Sequence, residues 1–121
     1  AIMGGSGGHS DAAAGAKMTI ITANLTRSRI AVIKDRVRTI CTPGETVDVL
    51  VTEWGIAVNP RRTDLLERFT KAKLPVHSIE KLREKAERLC GKARPIPEGE
   101  RIVGLVEYRD GTIIDVVRAR A

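Results

Sequence analysis

The segment Gly4-Gly5-Ser6-Gly7-Gly8-His9-Ser10-Asp11 places four glycines within five positions and is followed by alanines at 12–14. Because glycine has no Cβ, such a loop lets the backbone approach a ligand closely, and the alanine run predicts a short helix with Asp11 as its N-cap. Main-chain N–H groups at the start of a helix can converge on one anionic oxygen. The stretch therefore predicts an ordered loop-to-helix turn that binds an anionic group, with a flexible glycine-rich terminus as the alternative.

This loop does not match the two glycine motifs that bind nucleotides. Ser10 stands where the dinucleotide fingerprint requires its third glycine, and no Gly-Lys-Ser/Thr follows to complete a Walker A loop. Nucleotide binding by either route is therefore disfavoured.

The composition is that of one globular domain. The 121 residues are 42% apolar and 30% charged, and only 2% are aromatic, so we expect an aliphatic core and no stacking platform for single-stranded nucleic acid. The net charge is +6, and its basic excess lies after residue 60. No apolar run of about 20 residues and no signal peptide is visible, which predicts a soluble, cytoplasmic chain without a membrane span.

The two cysteines do not form a metal motif. Cys41 and Cys90 are too far apart for a C-x-x-C pair, so we expect free thiols and no metal site.

Residues 1–60 are predicted to be mostly sheet after the glycine loop. Apolar, β-branched runs predict strands at 18–23, 29–34, 37–41 and 47–52. Asn24 ends the first of these strands, and the turn at 42–44 ends the third.

Residues 61–91 have helical periodicity. We expect Thr63 to cap a helix that runs to about Lys73 and stops before Pro75. Ser78 is predicted to cap a second helix that Gly91 ends. Its apolar stripe consists of Ile79, Leu82, Ala86 and Leu89.

The last predicted element is a β-hairpin over 101–118, which a linker at 92–99 precedes. Asp110-Gly111 favours a two-residue type I′ turn. That turn would place Tyr108 opposite Ile113, and Leu105 opposite Val116.

Three stretches together resemble a known family. They are the loop at 4–11, Asp-Val-Leu-Val-Thr-Glu-Trp-Gly-Ile-Ala-Val-Asn-Pro at 48–60, and Glu-Tyr-Arg-Asp-Gly-Thr-Ile-Ile-Asp-Val-Val-Arg at 107–118. In this order they resemble the carboxy-terminal part of the citrate lyase alpha chain, and the resemblance covers essentially all of residues 1–121. The wider coenzyme A transferase superfamily shares only the first two stretches.

The resemblance implies a fold and an activity. The fold is part of an open, coenzyme A transferase-like α/β domain, a mixed sheet with flanking helices and a C-terminal β-hairpin. The activity is that of a citrate CoA-transferase subunit in the cytoplasmic citrate lyase complex, in which citrate displaces acetate from an acetyl thioester on an acyl carrier protein. The beta subunit then cleaves the citryl thioester. The phosphoribosyl-dephospho-CoA arm belongs to the carrier, so this chain is expected to bind no cofactor of its own.

The resemblance also implies the site. The residues expected to bind the thioester arm, citrate or the oxyanion are Gly4, Gly5, Ser6, Gly7, Gly8, His9, Ser10, Asp11 and Glu53. His9 and Ser10 would contact the arm or citrate, or would only cap the helix. We expect Glu53 to line a pocket, and the catalytic carboxylate to lie upstream of Ala1, so that residues 1–121 alone would be inactive.

Two other functions stay open at this point. The basic second half is compatible with a module that binds nucleic acid or an acidic partner, although the charges of the helix after Ser78 alternate in sign along the sequence, as on an ordinary solvated face. A purely structural assembly domain is the other alternative. Arg61 and Arg62 are candidates for a carrier interface, and the sequence does not say whether the acyl group is citrate or the related citramalate.

Overall fold

A computed structural model describes residues 7–92 and 94–121, which form two compact units. The first unit contains residues 7–17, 37–46 and 94–121, and the second contains 18–36 and 47–92. In chain order the elements are α1 (Gly7–Gly15), β1 (Ile20–Thr22), β2 (Thr26–Arg27), β3 (Ile30–Ala31), a 3-10 turn (Gly44–Thr46), β4 (Val49–Thr52), β5 (Gly55–Val58), α2 (Thr63–Lys71), α3 (Ile79–Cys90), β6 (Glu98–Glu107) and β7 (Ile113–Arg120). None of the helices in this part of the chain is long and apolar enough to cross a membrane.

A three-stranded mixed sheet organises the second unit. Its order is β1-β4-β5, with β1 parallel to β4 and β4 antiparallel to β5. Strands β2 and β3 form a separate short ladder. The predicted mixed α/β fold class is therefore confirmed, and the strands expected at 18–23 and 47–52 are present with shorter bounds.

Two strand predictions differ from the structure. Only Ile30–Ala31 of the run at 29–34 is in a ladder, and the strand expected at 37–41 is wrong because that stretch is a series of bends. Its polar groups bond instead to the hairpin of the same unit: the Ile40 N–H donates to Asp115 Oδ2 at 2.7 Å, and Arg38 pairs with Glu98 at 3.1 Å. These contacts replace strand pairing.

The core of the second unit is small and aliphatic, as the composition predicts. Leu25, Ala31, Ala57, Leu82 and Ala86 are buried together, and Ile33, Leu50 and Cys90 pack against them. Alanine at three of these positions lets α3 approach the short strands closely.

Helix α3 begins as predicted. The Ser78 hydroxyl accepts a hydrogen bond from the Lys81 N–H at 3.3 Å, and Gly91 follows the last turn at a φ of +79°. The predicted apolar stripe is only partly right, because Leu82 and Ala86 are buried whereas Ile79 and Leu89 are 47% and 55% exposed. The buried side of the helix continues to Cys90 instead.

Helix α2 begins one residue earlier than predicted. Thr63 is its first helical residue and Arg62 its cap, without a side-chain capping bond, so the predicted Thr63 cap is wrong. The helix ends at Lys71, before Pro75, as a proline requires.

The hairpin of the first unit is present, but its turn is not the predicted type. Leu105 pairs with Val116 as expected, whereas Glu107 and not Tyr108 pairs with Ile113. A type I′ turn needs positive φ at both central residues, and here Gly111 has a φ of +86° while Asp110 does not. The Tyr108 N–H bonds to the Thr112 carbonyl, which leaves a three-residue loop and shifts the register.

Gly55 lets residues 75–77 lie against β5. The Ile56 N–H donates to the Pro75 carbonyl at 3.0 Å, and the His77 N–H to the Ile56 carbonyl at 2.8 Å. Gly55 itself has a φ of +145°, and a Cβ there would lie 2.4 Å from His77 Cδ2 and 2.9 Å from the Pro75 carbonyl oxygen. This position therefore requires glycine.

We predict that Gly55→Ala lowers the free energy of unfolding of the intact protein by about 1–3 kcal/mol, because the backbone strain adds to a clash with main-chain atoms. Thermal or denaturant unfolding measures the change. Gly44→Ala is the matched control, since a Cβ at Gly44 meets nothing within 4 Å. Equal stability of the two variants would contradict the conclusion that position 55 requires glycine.

Candidate functional site

Helix α1 contains the described part of the predicted glycine site. Gly4, Gly5 and Ser6 lie outside the described residues, whereas Gly7, Gly8, His9, Ser10 and Asp11 form the first half of α1. Asp11 is therefore not the N-cap that the sequence predicted, because the helix already begins at Gly7. Its first two residues are Gly7 and Gly8, and Gly8 is exposed.

The side chains of α1 divide into exposed and buried. His9 and Asp11 are exposed, while Ser10 and Ala13, one turn apart, are 5% and 6% exposed. The Ser10 hydroxyl has no hydrogen-bond partner among the described residues. Of the two side chains expected to contact a ligand, His9 is therefore the accessible one.

His9 is held by a residue that the sequence did not indicate. Its Nδ1 lies 2.8 Å from the Thr42 hydroxyl, 33 positions away. That bond directs Nε2, the other ring nitrogen, away from Thr42. Thr42 follows an ordinary turn signal, so no sequence pattern connects it with His9.

A second candidate site lies in the other unit, at the carboxyl ends of parallel strands β1 and β4. An open crevice of about 540 Å³ there is lined by Thr22, Ala23, Asn24, Val51, Thr52 and Glu53. Ligands of open α/β sheets commonly bind outside the carboxyl ends of their strands. The crevice thus places Glu53, the one predicted site residue outside the glycine loop, at a position suited to binding.

Glu53 and Asp48 hold the two ends of the parallel strand pair. At the carboxyl end, both Glu53 oxygens lie 3.0 Å from the Leu25 nitrogen and accept its N–H. At the amino end, Asp48 Oδ2 accepts the Thr19 N–H at 2.7 Å. Each acidic residue flanks β4, and each bonded N–H flanks β1. Glu53 thus lines the crevice and also holds the main chain at Leu25 beside it.

Arg62 completes a charged network at the amino end. Its guanidinium contacts Asp48 at 2.8 Å and Asp64 at 2.9 Å. The Arg62 bonds lower the pKa of the Asp64 carboxyl from 3.8 to about 2. The Thr19 N–H, followed by Arg62, lowers the pKa of Asp48. Because Arg62 is bound to two carboxylates, it is better assigned to this network than to the carrier interface that the sequence suggested.

Neither site resembles a metal centre. No group of three or more His, Cys, Asp or Glu residues able to hold a metal occurs within 7–92 and 94–121. Cys41 is exposed and Cys90 half-buried, and both are free thiols. The chemistry available here is that of main-chain amides, one imidazole and a carboxylate.

Comparison with known proteins decides the family. A sequence profile of the family described as "Citrate lyase, alpha subunit" matches residues 1–120. The chain belongs to the citrate lyase alpha subunit family. It is 54% identical over 117 residues to the citrate lyase alpha chain of Klebsiella pneumoniae and 51% identical over 116 residues to that of Escherichia coli.

The same family contains a solved structure. A Streptococcus mutans protein described as an alpha subunit of citrate lyase, crystallised in complex with citrate, is 52% identical and superposes on 99% of this chain with a TM-score of 0.94. The fold class and the family resemblance are thereby confirmed.

The match covers only part of each relative. The chain spans 23% of the length of the Klebsiella pneumoniae and Escherichia coli proteins, and 24% of the Streptococcus mutans chain. These shares give the extent of the match and not its position, so the expected carboxy-terminal placement is not confirmed. The activity of the whole subunit is a proposal for this chain.

The charged network makes a pH-dependent prediction. A carboxylate whose pKa is lowered by folding contributes stability above its unfolded pKa, and that stability is lost as the pH falls through the folded value. We therefore expect the free energy of unfolding to decrease as the pH falls from about 4 to about 2. Asp48→Asn removes one of the two carboxylates and should flatten this decrease.

Denaturant unfolding of the intact protein at several pH values measures the slope. Glu45→Gln removes an exposed carboxylate outside the network and serves as the control. A slope in Asp48→Asn equal to that of the control would refute the role of Asp48.

Proposed function

We propose that this chain is part of a citrate CoA-transferase subunit, which exchanges acetate for citrate on an acyl carrier thioester. Membership of the citrate lyase alpha subunit family supports a citrate-related transferase role. The Streptococcus mutans relative crystallised with citrate agrees with that substrate. In the net reaction the acetyl–sulfur bond breaks, a citryl–sulfur bond forms, and one carboxylate oxygen of citrate leaves in acetate.

The start of α1 is the feature that carries this proposal. Exchange at a thioester builds negative charge on the carbonyl oxygen, and preorganised N–H donors stabilise that charge. The first N–H groups of an α-helix have no partner inside the helix. A Cβ built on Gly8 meets no atom of the described residues within 4 Å, and this is the space that would receive the ligand. Gly7 and Gly8 would present their amides there, with Gly4, Gly5 and Ser6 preceding them.

The other predicted residues have supporting roles in this proposal. His9, oriented by Thr42, would donate or accept a hydrogen bond with citrate or the pantetheine part of the arm, and Asp11 lies two residues further along α1. Ser10 is buried and would support the helix from within. Glu53 would shape its crevice while both its oxygens accept the Leu25 N–H, and the catalytic carboxylate would be supplied by residues outside this chain.

The partners follow from the reaction. The acyl group would arrive on the carrier's own phosphoribosyl-dephospho-CoA arm, so this chain would need no cofactor of its own. The citryl product would pass to the beta subunit for cleavage within the citrate lyase complex.

Gly8→Val tests the role of the α1 start. We expect at least a hundredfold loss of citrate-dependent acyl exchange in the full-length protein, because the side chain fills the space of the thioester oxygen; removal of one oxyanion donor typically costs about that much. Gly15→Val, at the other end of α1, is the matched control, since its Cβ also meets no atom of the described part of the chain within 4 Å.

Valine has a somewhat better helix propensity than glycine, so both variants should keep the stability of the wild type. Normal exchange by a folded Gly8→Val protein would show that the helix start is outside the site, and the proposal would fail.

Thr42→Val tests the orientation of His9. Valine keeps the shape of threonine but removes the hydroxyl that bonds Nδ1, so we expect about a fivefold loss in kcat/KM at unchanged stability, on the basis that such a bond contributes about 1 kcal/mol. Thr42→Ser keeps the hydroxyl and should restore most of the rate. If the two substitutions have equal effects, the hydroxyl does not position His9.

A further inference from the structure

Helix α3 carries its charges on separate sides, although they alternate along the sequence. Lys81, Lys85 and Arg88 follow the spacing i, i+4, i+7 and share one side of the helix. Glu80, Glu84 and Glu87 follow the same spacing one residue earlier and form an acidic side. Leu82, Ala86 and Cys90 face the core, as described above. The basic and acidic residues thus occupy adjacent sides of the helix.

The cations of this basic side form no ion pair with the described residues. Within the described residues, none of the three has a carboxylate within 4 Å, whereas Arg38, Arg62, Arg83 and Arg109 all form ion pairs. Arg88 bonds only the main-chain carbonyl of Glu84, at a long 3.4 Å. Three cations without an ion-pair partner among the described residues thus lie along two turns of one helix, with Lys81 and Arg88 exposed and Lys85 half-buried.

An exposed aromatic residue adjoins these cations. Lys85 Nζ lies 3.9 Å from the centroid of the Trp54 ring, at the β4–β5 turn, and the ring is 48% exposed. Leu89, one turn after Lys85, is 55% exposed. Tryptophan and arginine are enriched among the residues that dominate binding energy at protein interfaces. We call Trp54, Lys81, Lys85, Arg88 and Leu89 the basic face.

We propose that the basic face is the docking surface for an acidic face of the acyl-carrying protein that the proposed function requires. The inference rests on that function for the identity of the partner. Charge complementarity selects an acidic protein surface about two helical turns long, with an apolar contact for Trp54 and Leu89. The acidic side of α3 would repel the same partner in other orientations and fix the docking direction.

The same arrangement argues against nucleic acid as the occupant. Duplex DNA is bound by proteins that neutralise many phosphates at once, and the strong salt dependence of such binding reflects about six to ten contacts. Here only three cations are available, and the acidic side of α3 next to them would repel the phosphates of a nucleic acid. An acidic protein face that is only as wide as the basic face can contact it without touching the acidic side of α3.

The direct test is the affinity of the full-length protein for the purified acyl carrier subunit of citrate lyase, measured by calorimetry at low and high salt. The test variant combines Lys81→Glu, Lys85→Glu and Arg88→Glu. We expect its Kd for the carrier to rise at least tenfold and to depend less on salt than that of the wild type. Trp54→Leu should weaken binding about threefold, since it removes the aromatic ring that would contact the partner and that holds Lys85 in place.

The matched control changes the net charge equally at other exposed positions, by Lys17→Glu, Lys34→Glu and Lys71→Glu. Its carrier Kd should stay within about threefold of the wild type. A milder variant combines Lys81→Gln, Lys85→Gln and Arg88→Gln, and we expect it to lose carrier affinity to an intermediate extent. It replaces the charge-reversed variant if that protein does not fold.

The outcomes separate this inference from the proposed function. If the wild type binds the carrier, the basic-face variants bind it more weakly, and the wild type shows no citrate-dependent exchange, the docking surface is supported and the proposed function is overturned. Equal carrier affinity of test and control variants would overturn the docking surface and leave the function standing. The docking surface would also be overturned if the wild type does not bind the carrier. It would likewise be overturned if charge reversal weakens binding to duplex DNA and leaves binding to the carrier unchanged.

Discussion

The parallel pairing of β1 and β4 is held at both ends by a carboxylate bonded to a main-chain N–H. Asp48 accepts from Thr19 before the strands begin, and Glu53 accepts from Leu25 after they end. Because β1 has only three residues, ladder bonds alone give it little support. The two carboxylates therefore fix the register of the pair, and with it the crevice that opens beyond Glu53.

The two candidate regions have different physical characters. The start of α1 offers the main-chain amides of Gly7 and Gly8, and His9 and Asp11 are exposed side chains near them. The crevice offers side-chain oxygens and the Asn24 amide, and Glu53 holds the adjoining main chain through the Leu25 N–H. Anionic charge on an acyl group suits amide donors, whereas the crevice already holds a carboxylate. This contrast is why the proposed chemistry is assigned to α1.

The sequence predicted what local patterns determine and missed what distant contacts determine. Ser78 and Gly91 mark α3 because capping depends on neighbouring residues, and the family followed from three long motifs. The strand expected at 37–41 failed because Ile40 bonds to Asp115, a partner 75 positions away. The Thr42 contact with His9 and the separated charges of α3 likewise depend on folding, which no linear pattern shows.

The most direct test of the carboxylate clamp is amide hydrogen exchange of Leu25 and Thr19 in the full-length protein, followed by mass spectrometry. The account predicts that Glu53→Ala speeds exchange at Leu25 by at least about tenfold while Thr19, held by Asp48, keeps its wild-type rate. An unchanged rate at Leu25 would contradict it, because the carboxylate would then not be what protects that end of the strand pair.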